Sequence, residues 1–316
     1  MYALVIHGGA GLSTPEDLGA EREVIARVAL AQALQAGENI LKAGGSALDA
    51  TIAAVCVMED SEVFNAGKGS VFASDGVQYM DASLMDGANK RAGSLCGATR
   101  IRNPIRAAKL VMEHTRHVML YGEDVHRLAE EHNIETVEPT WFHTQYRADQ
   151  LQRAIAANTI LLDHESVESH SRKATSEDNC KGTVGAVALD LNGNVAAATS
   201  TGGLVNKRPG RVGDSAIIGA GTYALNSTCA VSATGHGELF IRSHVASRLS
   251  DLIELAGLSL KDAANQIVFS ELPDDCGGVI AVDQAGNIAL PFNTGGMFRG
   301  YVKQAESPVV EVWKEG

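Results

Sequence analysis

With 316 residues, 45% of them apolar, the chain has enough material for one large core or two tightly joined halves. Its formal charge of −12 sets it against polyanions, so neither nucleic acid nor an anionic membrane is an expected partner. Met1 leads straight into YALVI without an export signal, and no apolar span is long enough for a bilayer. The five cysteines, Cys56, Cys96, Cys180, Cys229 and Cys276, are odd in number and lack CxxC spacing, which reads as reduced thiols in a cytoplasmic protein.

Ala3 to His7 is an apolar run that should form a buried strand and open into a glycine turn at Gly8, Gly9, Ala10 and Gly11. No GxGxxG follows, so the turn reads as part of a cleft wall rather than a phosphate cradle. Helical spacing from Glu21 to Lys42 ends at Gly44 and Gly45, and Ser46 caps a second helix over Ala47 to Met58. The loop SEVFNAGKGS, Ser61 to Ser70, is not a P-loop: Gly69 follows Lys68, and Glu62 stands where the earlier glycine is required. Strands are expected over Tyr79 to Met85 and Ala92 to Thr99, with a helix starting at Asn103-Pro104. A short strand at Val118 to Tyr121 and helices over Glu123 to His132 and Gln145 to Asn158 follow. His114, His117, His126 and His132 have no HExxH or cysteine partners and read as surface histidines, not a metal site.

From His164 to Asn179 the chain is polar and charged without apolar periodicity, the pattern of an exposed, mobile linker. It runs into TVGAVAL, Thr183 to Leu189, which is small, β-branched and apolar as a buried strand should be. Asp190, Asn192, Gly193 and Asn194 turn the chain, and Val195 to Ala198 returns as the partner strand. The hairpin carries a hydroxyl at each end, Thr183 and Thr201. If the bond between Gly182 and Thr183 were cut, Thr183 would hold a free α-amine beside its own hydroxyl. With a pKa near ~8, much of that amine can be neutral at physiological pH and take the hydroxyl proton. Glycine before it permits the unusual backbone that self-cleavage needs.

Beyond the hairpin, GRVGDS sets Arg211 and Asp214 three residues apart in a glycine-rich loop. Such a pair complements the carboxylate and ammonium of an α-amino acid. Cys229 to Ala233 is a strand ending at Thr234-Gly235-His236-Gly237, a turn whose N–H groups can face an oxyanion. Helices over Gly237 to Leu255 and Leu260 to Glu271, with strands over Gly277 to Val282 and Ile288 to Pro291, complete the chain in blocks. That order argues for stacked antiparallel sheets under helical covers.

Four groups of stretches occur together: VIHGGAG; FNAGKGSVF with MDASLMDG; GTVGAVALD with ATSTGG and GRVGDS; and SATGHGE with LPFNTGGMF. In this combination and order the chain resembles the plant-type L-asparaginase and isoaspartyl peptidase family of N-terminal nucleophile hydrolases, over nearly its whole length. The resemblance implies an α+β fold, a four-layer αββα sandwich. It would be built from an α subunit (residues 1–182, with the linker over 159–182) and a β subunit (183–316), cut from one precursor and associated as a dimer of αβ units. It further implies hydrolysis of L-asparagine and of β-aspartyl dipeptides, with Thr183 as nucleophile and Thr201 bonded to it. The Thr234 hydroxyl and Gly235 N–H would form the oxyanion hole, Asn65 would lie in the cleft, and Arg211, Asp214, Thr234, Gly235 and Gly237 would surround the substrate. With a terminal amine present, His236 is not needed as a base. No organic cofactor is implied, but a structural sodium ion is, held by main-chain carbonyls of Met58, Glu59, Ser61, Phe64, Ala66 and Lys68. Lys181 precedes the Gly-Thr pair at a place where the family varies. Three other readings stay open: a glycosylasparaginase, an endopeptidase resembling taspase but without its long recognition segment, and an uncleaved protein that only binds an amino acid.

Overall fold

The computed structural model describes residues 1–12, 14–157 and 182–314; the expected linker up to Lys181, with Cys180, lies outside them. The strands are β1 (Ala3–Leu12), β2 (Met80–Asp86), β3 (Ala92–Ala98), β4 (Met119–Tyr121), β5 (Val184–Leu189), β6 (Val195–Thr201), β7 (Thr222–Ala224), β8 (Cys229–Gly235), β9 (Gly277–Asp283), β10 (Ile288–Ala289), β11 (Gly296–Lys303) and β12 (Val309–Trp313). The helices are α1 (Pro15–Leu18), α2 (Ala20–Lys42), α3 (Ala47–Glu59), α4 (Pro104–His114), α5 (Glu123–Glu131), α6 (Gln145–Ala156), α7 (Gly237–Ser243), α8 (Val245–Ala256) and α9 (Leu260–Gln266). Among the described residues the strands form two sheets, ordered β12-β11-β1-β5-β6-β2-β3-β4 and β10-β9-β8-β7.

The central strands explain the layering. Along β5, Val184, Ala186 and Ala188 join the core beneath α2 and α3, while Val187 and Leu189 face the second sheet. β6 repeats the pattern, with Ala196 and Ala198 on one side and Val195 and Ala197 on the other. A strand buried on both faces is apolar at every position, which is why TVGAVAL shows no polar alternation. A third core lies on the far side of the smaller sheet, where Val231 and Val279 meet Leu249, Leu252 and Ile267 of the α8–α9 segment. Each fully buried side chain of this kind contributes about 2 kcal/mol relative to an exposed one. The stack is helix, sheet, sheet, helix: the α+β, four-layer αββα sandwich expected.

Several elements differ from expectation. β1 does not stop at His7 but runs to Leu12, with register shifts against β11 at His7/Gly9 and Ala10/Leu12 and φ of 112° at Gly9 and Gly11. Glycine lets the strand bulge there instead of turning. The helix expected from Gly237 is broken at His244, which is left-handed with φ 50°, into α7 and α8. α9 passes into a π turn over Ile267–Glu271. His126 is buried, not on the surface: its Nε2 accepts the Thr99 N–H at 3.0 Å and its Nδ1 lies 3.2 Å from Glu123. Among the described residues Cys56, Cys96, Cys229 and Cys276 are buried free thiols, and no helix is long and apolar enough to cross a membrane.

Candidate active site

β5 begins, and β6 and β8 end, at one edge of the two-sheet stack, because β5 and β6 are antiparallel with Val184 opposite Ser200. This brings the two hairpin hydroxyls together. Thr183 Oγ1 donates to Thr201 Oγ1 at 3.0 Å, and Thr201 Oγ1 also accepts the Gly203 N–H at 3.0 Å. The chain enters through Gly182, whose φ is +134° and whose added Cβ would lie 2.2 Å from Gly9 Cα. Only glycine fits there. The Gly182 carbonyl accepts the Asn65 N–H at 3.0 Å.

Asn65 is fully buried and works as a clamp. Its side chain donates to the Gly203 carbonyl at 2.7 Å and accepts the Val71 N–H at 3.0 Å, while its carbonyl accepts the Gly202 N–H at 3.0 Å. It ties its loop to both the entry and the exit of the hairpin.

Across the cleft lies a charged end. Arg211 is bidentate to Glu238, Nε to Oε1 and Nη2 to Oε2, both at 2.9 Å. Arg211 thus pairs with Glu238 and not with Asp214, its neighbour in GRVGDS. His236 Nδ1, 3.4 Å from Glu238 Oε2, and then the Arg211 guanidinium hold the Glu238 carboxyl well below the usual carboxylate range. At 3.4 Å that contact falls outside hydrogen-bond geometry, and His236 Nδ1 is without a hydrogen-bond partner among the described residues. Lys207 is buried beneath the turn and donates to the Gly202 carbonyl at 2.8 Å and the Tyr79 carbonyl at 2.7 Å. A Cβ on Gly203 would lie 2.7 Å from Lys207 Nζ and 3.3 Å from Arg211 Nη1; burial lowers the Lys207 ammonium against the opposing pull of Asp81, so Arg211 is the cation that lines the cleft. Asp214 is the negative pole: buried, with Oδ2 lacking a hydrogen-bond partner among the described residues. Burial pushes its carboxyl up to about 7 against the partial opposing pull of Arg211. Gly237 has no room for a side chain, since a Cβ would lie 2.9 Å from both Arg211 Nη2 and Asp214 Oδ1.

Thr234 Oγ1 accepts the Ala10 N–H at 3.3 Å, which leaves its own hydrogen for a group in the cleft. At Gly235, φ is +156° and an added Cβ would meet the Cys276 carbonyl at 2.4 Å. Gly182, Thr183, Thr201, Arg211, Asp214, Thr234 and Gly235 all line one cleft. A nucleophilic hydroxyl, hydrogen-bond donors for an oxyanion, and one pole of each sign are what hydrolysis of an amino-acid amide requires.

The loop proposed for sodium lies behind Asn65. Gly67, with φ +52°, sits where a Cβ would lie 2.2 Å from the Glu59 carbonyl oxygen, and Gly69 where one would lie 2.0 Å from that of Phe64. The Glu59 side chain is engaged elsewhere, accepting from Ser200 Oγ at 2.7 Å and the Ile105 N–H at 3.1 Å. The two glycines thus pack on the main-chain oxygens of Glu59 and Phe64, the kind of donor a hard cation takes, while the Met58 and Ala66 carbonyls already accept the Ser61 and Gly69 N–H groups, each at 3.2 Å. Sequence reasoning gave no role to Glu238, Lys207, Ser232 or His7. Their signals were slight: a glutamate closing SATGHGE, a lysine before GRVGDS, and a histidine opening the glycine run.

The asparaginase family model matches residues 1–312. The chain is similar to the "Isoaspartyl peptidase" of Escherichia coli (strain K12), 44% identical over 314 residues that cover 99% of this chain and 96% of that protein. It is similar to the "Plant-type L-asparaginase" of Pyrobaculum calidifontis, 40% identical over 308 residues, 97% of this chain and 98% of that protein. To the "Isoaspartyl peptidase/L-asparaginase" of Bos taurus it is 40% identical over 296 residues, 93% and 91% respectively.

Proposed function

The chain belongs to the asparaginase family, and on that premise we propose that it is an autoprocessing amidohydrolase. It cuts its own Gly182–Thr183 bond, then uses Thr183 to hydrolyse L-asparagine to L-aspartate and ammonia and to cleave β-aspartyl dipeptides. The observation that carries this reading is the Thr183 hydroxyl. It follows a position open only to glycine, bonds Thr201, and shares its cleft with Arg211 and Asp214.

In the precursor, Thr183 Oγ1 attacks the Gly182 carbonyl carbon. Charge develops on the oxygen that the Asn65 N–H already faces at 3.0 Å. The Oγ1 proton passes to the departing nitrogen as the C–N bond breaks, so the acyl group moves from nitrogen to oxygen, and water then hydrolyses the ester to leave a Gly182 carboxylate and a Thr183 amine with its hydroxyl restored. In the mature site that amine takes the Oγ1 proton as the oxygen attacks the substrate's side-chain carbonyl. The Thr234 hydroxyl and Gly235 N–H receive the oxyanion, each donor worth about 3 kcal/mol. The amine passes its proton to the leaving nitrogen, which departs as ammonia or as the amine of the second residue. Water deprotonated by the same amine then releases aspartate and restores the Thr183 hydroxyl. Arg211 attracts the substrate α-carboxylate, Asp214 takes its ammonium, and Gly237 leaves room for both.

The main-chain carbonyls of Met58, Glu59, Ser61, Phe64, Ala66 and Lys68 hold a sodium ion that stiffens the loop carrying Asn65. The mature protein consists of residues 1–182 and 183–316, paired as a dimer of αβ units, in the cytoplasm, where buried free thiols such as Cys56 and Cys229 persist. Sedimentation of the processed protein as a single αβ unit would remove the dimer, and cell fractionation checks the compartment. Denaturing mass spectrometry with N-terminal sequencing tests the core of the reading: two chains are expected, one beginning Thr-Val-Gly-Ala. Thr183→Ala is expected to remain one chain without hydrolysis. Hydrolysis by that variant would sink the nucleophile, and a wild-type chain that stays whole while binding aspartate would make this protein a binder only.

A further inference from the structure

Directly behind Thr183, the space between the two sheets holds a file of polar side chains. Ser83, Thr199, Thr222, Ser232 and His7 are all fully buried. Buried polar groups are costly unless every one is partnered, and here each is. Ser83 Oγ, with one hydrogen to give, lies 2.6 Å from the Ser215 carbonyl, which can only accept, and 2.8 Å from Thr222 Oγ1. Thr222 Oγ1 donates to Thr199 Oγ1 at 2.6 Å, Thr199 Oγ1 lies 2.7 Å from Ser232 Oγ, and Ser232 Oγ lies 2.9 Å from His7 Nε2. The other ring nitrogen, Nδ1, lies 3.0 Å from the Thr183 carbonyl oxygen.

The His7 end fixes the direction of the file. A carbonyl can only accept, so Nδ1 carries a hydrogen and gives it to Thr183. Burial pushes His7 down to about 3, so the ring is neutral and its Nε2 can only accept. Ser232 must then donate to Nε2 and accept from Thr199, which accepts from Thr222. Gly185 makes the meeting possible, because a Cβ there would lie 2.0 Å from Ser232 Oγ and 2.4 Å from His7 Nε2. The β1–β5 ladder ends at His7 opposite Gly185, so Thr183 lies two residues past the last paired one and receives a side-chain donor instead. Once the chain before it is cut, Thr183 has no covalent tether on its amino side. The hydrogen bond to its carbonyl then restrains the rotation that aims both amine and hydroxyl.

We propose that His7 is a positioning residue for the nucleophile: held as the Nδ1–H form by the Thr222–Thr199–Ser232 relay, it pins the Thr183 carbonyl and so aims the Thr183 amine and hydroxyl. This rests on Thr183 being the nucleophile. Two replacements separate positioning from packing. Asparagine places its amide nitrogen where Nδ1 is, whereas glutamine places its amide at Nε2 and leaves the Thr183 carbonyl without a donor. Among processed enzymes, His7→Asn is expected to keep kcat within about threefold and His7→Gln to lose about 100-fold, both with KM little changed, the scale of a misaimed reacting group. A role in packing alone predicts the reverse order, because asparagine leaves the larger cavity. Ser232→Ala should lower kcat about tenfold in the wild-type background and hardly at all beside His7→Asn. Nitrogen-15 NMR of the imidazoles reads the tautomer directly, in cut or uncut protein. A neutral ring protonated at Nδ1 is expected for His7, told apart from that of His126, whose Nε2 also accepts a hydrogen bond, by its loss in His7→Asn or, should that variant not fold, by its shift in Ser232→Ala. A His7 ring protonated at Nε2, or a glutamine variant as fast as the asparagine one, overturns the proposal. Activity in Thr183→Ala would instead overturn the reading beneath it.

Discussion

Asp214 offers a test in which binding and stability move in opposite directions. Its carboxyl is pushed up from the ordinary 3.8 to about 7. At about 1.4 kcal/mol for each tenfold change in proton affinity, that is about 4 kcal/mol. The folded protein holds this proton between pH 3.8 and about 7 while the unfolded chain releases it, so stability falls as pH rises through that window. Above it, an ionised, buried Asp214 is a burden relieved only when an ammonium group arrives. Binding of L-aspartate, the product, followed by titration calorimetry should weaken about 100-fold from pH 8 to pH 5, since the site must first lose a proton. Near pH 6 close to one proton should be released per ligand bound, and almost none at pH 8. Protonation of the Thr183 amine would act in the opposite sense by attracting the product's side-chain carboxylate, so a loss of affinity at low pH points to Asp214. Asp214→Asn should bind aspartate about 100-fold more weakly at pH 8 and lose the pH dependence, yet melt higher than wild type at pH 8 and with little difference at pH 5. A wild-type affinity flat from pH 5 to 8, or an asparagine variant that melts no higher at pH 8, would refute the reasoning.

Gly237→Ala puts a methyl 2.9 Å from Arg211 Nη2 and Asp214 Oδ1; steady-state kinetics should show KM raised at least about tenfold with kcat changed far less, because the loss is in ground-state binding. Equal losses in both constants would place Gly237 in the chemistry and not in the pocket. Replacing sodium by choline at constant ionic strength should lower the thermal midpoint by about 5 °C, as loss of a ligand specific to the folded state does. An identical midpoint in the two salts removes the ion from the Met58–Lys68 loop.

Much of this protein is determined by local pattern. TVGAVAL announces a strand covered on both faces, the turn residues from Asp190 to Asn194 close it into a hairpin, and the glycines at 182, 235 and 237 mark places where backbone or charge approaches too closely for a side chain. The strand and the hairpin are legible because they depend on residues near one another in sequence, whereas what each glycine makes room for, Gly9 at Gly182, Cys276 at Gly235, and Arg211 and Asp214 at Gly237, comes from elsewhere in the chain. Partnership is another matter. That Arg211 pairs with Glu238, 27 residues on, and not with Asp214 next to it, follows from how β8 and α7 carry SATGHGE back over the GRVGDS loop. That His126 is buried, and that β1 bulges on through its glycines, depends on what packs above them. The hydroxyl file ending at His7 joins residues up to 225 positions apart. Each of its serines and threonines looks in sequence like any strand residue. Only the stacking of the two sheets puts them in line, because a hydrogen bond needs its partner within about 3 Å and a chain pattern records which side of a strand a residue faces but not what lies across from it.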